Sequence, residues 1–371
     1  MATSDTHKAL TLPAVGTPFE VRTVPTPSPV AGSAVVQVLS AVIGPNRSEM
    51  YDGTGGVLTF PTPFVPGESA ICRVVSVGPD AVLVKPGDLV LIDPFVAARD
   101  DPTGSQILFG LFDGTSPATK RLFAETWRDG LWAETCRVPL ENCVVLNEEI
   151  LMKKMGYSAT NLAYLTRMAV GYGGVKGVDL RAGQTVIISP STGQFSGATV
   201  EMASAMGAHV IALGRSPEKL ARLKQKVQRV ETITTTGDAD ADTAAIQKVL
   251  GNAGADAYID LSPPHLSNPP YMAAAMRCLR ANGRVAFLGM PQDMRIESAV
   301  LLLKNITIKG QYMYGRDDIR YLVRMAETGM VKLGSDAGHI VAGEFKLEDW
   351  EEALKTAKEN DEHGRIVTFT P

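Results

Sequence analysis

Two short segments of the 371-residue chain carry residue types in an order that could bind a dinucleotide. The first, "ISPSTGQFSG" at 188–197, follows the apolar run Thr185 to Ile188 and precedes a helical pattern that ends at Gly207. Where a strand turns sharply into a helix, the N-terminal amides face a pyrophosphate and glycines let the backbone come close. Gly193 keeps the close-approach position. Pro190 gives up one amide donor but pre-sets a turn. Ser196 is small enough to replace a packing glycine beside Gly197. The expected cradle is therefore Pro190, Thr192, Gly193, Gln194 and Phe195. The second segment, "ALGRSPEK", closes a second apolar run at Leu213, about twenty residues beyond Gly193 as the dinucleotide motif requires. An acid here would accept from the ribose 2′-hydroxyl of NAD, whereas a small residue followed by a cation suits a 2′-phosphate. Gly214, Arg215, Ser216 and Lys219 form the second pattern, so the expected cofactor is NADPH.

These residues need a scaffold, and the surrounding pattern supplies one. From about 156 to 318, six apolar runs ("TVIIS", "HVIAL", "VETITT", "DAYIDL", "RVAFLG", "ITIKGQYM") alternate with helix signals. Ser216 reads as an N-cap with Pro217 at the first helical position, and "YMAAAMRCLRANG" reads as a helix closing on Gly283. Such alternation predicts an α/β fold with a doubly wound, six-stranded parallel sheet. Residues 1–155 instead hold short Val-rich runs between Pro and Gly turns, which predicts a β-rich domain. The last fifty residues add two amphipathic helices and a final strand, "RIVTFT". Residues 319–371 are assigned to the first domain and 156–318 to the second.

Composition narrows the function classes. A net charge of −4 argues against a nucleic-acid or anionic-membrane surface. No apolar stretch approaches a membrane span, and "MATSDTHKAL" lacks the apolar core of a secretory signal. Cys72, Cys136, Cys143 and Cys278 are far apart, which fits reduced thiols in the cytoplasm and packing roles rather than disulfides or a thiolate metal site. The five histidines show no ligand spacing, and the basic residues from Lys219 to Arg229 read as a solvated helix face.

Over nearly its whole length the chain resembles the medium-chain dehydrogenase/reductase superfamily. The resemblance rests on "PFVPGES", "VVSVGPDAVLVKPGDLV", "ETCRVP", "GADAYIDLSP", "GRVAFLG" and "LLLKNITIKGQYM". It implies a GroES-like first domain, a Rossmann second domain, hydride transfer at the cleft between them, and a homodimer. "PSTGQFSGATVEMASAMGA" is similar to a zinc-lacking, alcohol-dehydrogenase-like branch. The three zinc-ligand positions of zinc members fall on Gly44, Glu68 and Thr166, which make a poor ligand set. Residues 93–130 contain no cysteine for a structural zinc lobe.

"GPNRSEMYDGTG" is similar to the quinone-reductase segment, matching at Gly44, Asn46, Glu49, Tyr51 and Gly55. That likeness implies catalytic roles for Tyr51, Asn46 and Glu49, with Tyr51 as hydrogen-bond donor or proton source; the other reading of Tyr51 is packing. Gly53 stands where that branch carries an arginine. Asp260 and Gly289 fall at strand ends where the superfamily contacts its cofactor. Phe109, Phe112, Trp127 and Trp132 either cover a hydrophobic substrate, fill the core or meet another subunit. The expected protein is a zinc-independent, NADPH-dependent reductase of an activated double bond (enone, quinone, imine or ketone) in a hydrophobic small molecule. The alternative is a redox-silent member acting as a binding protein, cyclase or isomerase.

Overall fold

A computed structural model describes residues 5–55 and 58–371. The first four residues of the N-terminal stretch lie outside it. The chain divides into two compact units, Met1–Thr166 with His339–Asp361 and Arg365–Pro371, and Arg167–Gly338 with Glu362–Gly364.

The first unit is built on the strand Ser33–Val42. All its residues but Gln37 and Leu39 are buried, as a strand wrapped into a barrel-like core requires. It pairs antiparallel with Ala70–Val77, Thr135–Pro139 and Arg365–Phe369. The sheet continues through Leu89–Ile92 to Cys143–Val145 on one side and through Ile340–Phe345 on the other. Register shifts at Val35/Val36 and Val38/Ser40 bend the central strand around the core. Phe109, Trp127 and Trp132 lie inside this core, with Phe112 packed against it. Their core-filling alternative is the one the structure displays. Gly67 has φ +113, and a Cβ there would lie 2.5 Å from the Trp132 amide nitrogen, so only glycine lets the chain turn at this point. That turn delivers Glu68 into the interior.

The second unit is the six-stranded parallel sheet expected from the sequence. Its strand order is Val230–Thr234, His209–Gly214, Thr185–Ser189, Ala255–Asp260, Leu279–Phe287, Thr307–Gly310. Order reverses between Thr185–Ser189 and Ala255–Asp260, the switch point at which doubly wound sheets bind ligands. Ile187, Ile211, Tyr258 and Val285 anchor one side of its core. Ser216 caps the helix Pro217–Lys226 as expected, accepting from the Lys219 amide.

One helix is shorter than its sequence pattern. Pro270–Arg277 is capped at Cys278, and Leu279 joins the sheet opposite Ala255 instead of continuing to Gly283. Leu279 is buried at this edge, and Asn282 takes φ +59 where the strand is bulged. Burial of the leucine on the sheet outweighed the local helix pattern. Among the described residues no helix is long and apolar enough to cross a membrane.

Candidate functional site

In the second unit, the turn after Thr185–Ser189 is fixed to its neighbours by backbone and hydroxyl groups. Ser191 donates from both its amide and its hydroxyl to the Leu213 carbonyl, at 2.9 and 2.8 Å. The His363 amide donates to the Thr192 carbonyl at 3.0 Å. Gly193 N-caps the helix Gln194–Ala205, and its amide donates to Ser196 Oγ at 3.0 Å. The Ser196 hydroxyl is thus a reciprocal cap inside the turn rather than an extra donor for a phosphate. A Cβ at Gly197 would lie 2.5 Å from His363, which explains why that position is the one kept as a packing glycine. Phe195 is exposed and lies under the Arg167 guanidinium, 4.6 Å from its ring centroid.

A dinucleotide fits this turn. At Gly193 a Cβ would meet only Ser196 Oγ, at 3.3 Å, so the backbone stands open on that side. The Phe195 and Ser196 amides lie in a first helical turn, where no helical carbonyl precedes them. At the end of the next strand, Arg215 is exposed and pairs with no acid among the described residues. Lys219 shares Glu362 with Arg222, at 3.8 and 2.8 Å. Gly214 is tighter than its sequence context implies. A Cβ there would stand 3.3 Å from both Leu220 Cδ2 and Thr192 Cγ2, so packing as well as ligand access favours glycine.

Asp260 occupies the switch point but turns inward. Its Oδ1 accepts from the Tyr258 hydroxyl at 2.8 Å and from Ser262 Oγ at 2.6 Å, and its Oδ2 accepts from the Ser262 amide at 3.0 Å. Ser189 and Tyr271 extend the chain of hydroxyls on either side. Burial raises the Asp260 carboxyl above its usual range, and the bonds from Ser262 and Tyr258 oppose that only in part. Gly289 closes the same corner: a Cβ would lie 2.3 Å from the Ser262 amide nitrogen. These two residues shape the strand ends that a cofactor would face.

In the first unit, the quinone-reductase-like segment forms the short helix Arg47–Tyr51 directly after the central strand. Arg47 is buried. Its Nη2 donates to Glu68 Oε1 at 2.6 Å and its Nη1 donates to Asn46 Oδ1 at 2.9 Å. Burial works against the guanidinium charge, but the Glu68 carboxylate outweighs it and holds Arg47 above its usual range. Asn46, exposed at the helix start, thus acts on Arg47, and Glu49 Oε1 pairs with Lys358 Nζ at 2.7 Å.

Tyr51 sits among Phe19, Phe60, Phe64 and Trp132, with ring centroids 5.4 to 6.3 Å away in mostly edge-to-face geometry. Its hydroxyl, together with Arg47 Nε, is buried with no hydrogen-bond partner among the described residues. Burial raises the phenol well above its usual range. The Arg47 charge partly opposes this and Glu68 reinforces it.

A catalytic zinc does not fit these residues. Gly44 offers no ligand atom, and a Cβ there would lie 2.9 Å from Arg47 Cζ, so the guanidinium fills the direction a cysteine would take. Glu68 is engaged by that cation. The Thr166 hydroxyl donates to the Ala163 carbonyl at 2.9 Å. The four cysteines are buried and free, and burial pushes Cys143 up to about 12 and Cys278 up to about 11. They lack the low-pKa setting of reactive thiols.

The Arg47–Glu68 pair is what sequence reasoning missed. A signal for it was present, because a carboxylate at a buried ligand position without its metal needs another cation, and Arg47 is the cation inside the matching motif.

Comparison with known proteins agrees with both units. Residues 31–148 match the family described as alcohol dehydrogenase GroES-like domain, and residues 196–328 the one described as zinc-binding dehydrogenase. Each unit thus carries one of the two domain families that together make up the medium-chain dehydrogenase/reductase superfamily of oxidoreductases. Among the chain's relatives is the acryloyl-coenzyme A reductase of Metallosphaera sedula, 22% identical over 95% of this chain and 96% of the relative. Another is the NAD-dependent alcohol dehydrogenase of Sulfurisphaera tokodaii, 24% identical over 97% and 99% of the two chains. Among solved structures, an alcohol dehydrogenase from E. coli CFT073 complexed with NADH superposes with a TM-score of 0.78 at 15% identity, covering 99% of this chain and 100% of that one. The zinc-binding description takes its name from a metal, yet its matched segment contains none of positions 44, 68 and 166.

Proposed function

We propose that this protein is a zinc-independent, NADPH-dependent reductase of an activated double bond in a hydrophobic small molecule. The observation that carries this reading is the buried ion pair that joins Glu68, at one of the three expected zinc-ligand positions, to Arg47, whose guanidinium packs against Gly44 at another. Exposed Arg215 after Gly214 supports NADPH over NADH. Both oxidoreductase relatives, one named for acryloyl-coenzyme A and one for alcohols, suit a small carbonyl-bearing acceptor.

The residues divide the work. The turn at Pro190, Thr192, Gly193, Gln194 and Phe195 holds the pyrophosphate, and Arg215, with Ser216 and Lys219, meets the 2′-phosphate. Asp260 and Gly289 set the strand ends beside the nicotinamide. The nicotinamide, when bound, supplies a hydride. Tyr51 donates a hydrogen bond to the acceptor, while Asn46 accepts from the Arg47 guanidinium and Glu49 ties the short helix to Lys358. A homodimer, a small-molecule substrate and a cytoplasmic setting complete the proposal, with neither nucleic acid nor membrane as partner.

A nicotinamide fluorescence titration, followed by acceptor-dependent loss of NADPH absorbance with a panel of enones, quinones, imines and ketones, tests it. Saturable NADPH binding and turnover of at least one acceptor class are expected. Binding without turnover of any acceptor supports the redox-silent alternative instead.

A further inference from the structure

Resting on that function, we propose that Arg47 is a catalytic residue: a fixed cation standing where zinc members place their metal, which receives the developing oxyanion of a conjugated carbonyl or quinone together with Tyr51. Two observations carry it independently. The guanidinium occupies the space against Gly44 and is held by Glu68 and Asn46, so its position is set from two sides. Arg47 Nε and the Tyr51 hydroxyl, four residues apart in one helix, are both buried donors lacking an acceptor among the described residues. Leaving two such donors buried costs stability unless an acceptor completes them, and an incoming oxygen supplies one.

The chemistry follows from charge. The nicotinamide would supply a hydride to the β-carbon of a conjugated carbonyl, and the π pair of the acceptor would then move onto the carbonyl oxygen to give an enolate. A solvent proton then adds at the α-carbon, so two electrons and two hydrogens enter the acceptor. The oxygen becomes negative during the first step, and donors fixed at that oxygen beforehand need no reorganisation. Tyr51, held protonated by its surroundings, donates a hydrogen bond and keeps its proton. The same cation opposes a protonated imine, whose charge is positive. The substrate class narrows to conjugated carbonyls and quinones, and Glu68 and Asn46 are positioning residues that act through Arg47.

The test uses 4-nitrophenol, whose absorbance separates phenol from phenolate, with the purified full-length protein. In the parent protein the bound phenol should ionise about 1–2 pH units below the free compound, equivalent to phenolate binding about 10- to 100-fold more tightly than phenol. Arg47→Lys should keep part of the shift. Because Arg47→Met leaves Glu68 buried without its cation, the double variant Arg47→Met/Glu68→Gln is included, with thermal melting to verify folding; it should lose the shift. Tyr51→Phe should lose a smaller part. No saturable binding in the parent, or an equal shift in the folded double variant, overturns the assignment of Arg47. The NADPH assay fails separately: turnover of an enone with no Arg47-dependent shift removes this inference and leaves the reductase, whereas an Arg47-dependent shift without turnover of any acceptor does the reverse.

Discussion

Arg47 and Glu68 form an ion pair at 2.6 Å with both side chains only 7% exposed, Glu68 standing at an expected zinc-ligand position and Arg47 three residues after another, Gly44. Removing one partner of such a pair leaves a desolvated charge, which costs about 3–5 kcal/mol. Arg47→Met and Glu68→Met should each lower unfolding free energy by that amount, and the double variant should recover most of it. Urea unfolding of the cycle measures this. Additive losses would show that the two residues do not act as a pair.

Tyr51 should matter to turnover through a hydrogen bond and not through its own ionisation. Tyr51→Phe should reduce turnover by about 10- to 1000-fold with NADPH affinity little changed. Because the phenol is held above its usual range, the parent profile should show no loss of activity from this group near pH 10, where an ordinary tyrosine ionises. Steady-state rates across pH check both points, and unchanged turnover in Tyr51→Phe would assign the residue to the aromatic core alone.

Arg215 should set the cofactor preference. A charge-assisted contact contributes about 1.5–3 kcal/mol, and solvent exposure puts this one at the lower end, so Arg215→Ala should weaken NADPH by about 10-fold while barely affecting NADH. Added salt should weaken NADPH more than NADH. Gly214→Asp is the poorer probe, since its Cβ would press on Leu220 and Thr192 at 3.3 Å. Dissociation constants for the two cofactors decide the matter: equal weakening of both means that Arg215 does not read the 2′-phosphate.

Asp260 gives a pH signature in stability. Its folded carboxyl is raised above the unfolded value, so its contribution is fully present below the unfolded pKa and declines as pH rises through the raised one. The difference in unfolding free energy between the parent and Asp260→Asn should therefore move in favour of asparagine from about pH 4 upward. A difference that is flat, or that moves the other way, contradicts a buried and raised Asp260.

Much of the scaffold was legible because periodicity and turn chemistry agree along the second unit. The six apolar runs became the six parallel strands, and Ser216 with Pro217 fixed a helix start. Leu279 was misread because the alanines before it continue a helical pattern, whereas its destination depends on Ala255 across the sheet. The site was legible as a set of positions and less so as contacts. The motif drew attention to Tyr51, Asn46 and Glu49, but the partner of Arg47 lies 21 residues away along the chain. Ser196 likewise revealed its cap only when the turn was folded around Gly193. Interactions between residues distant in sequence carry no local periodicity, so residue type and charge were the only clues.

A reductase that uses NADPH without a metal at positions 44, 68 and 166 should not depend on zinc for turnover. The direct measurement is acceptor-dependent NADPH oxidation before and after exhaustive treatment with a strong chelator, with zinc content determined on the same samples. Well below one zinc per chain and an unchanged rate are expected. Stoichiometric zinc whose removal abolishes the rate, and whose return restores it, would rule out a metal-free reductase.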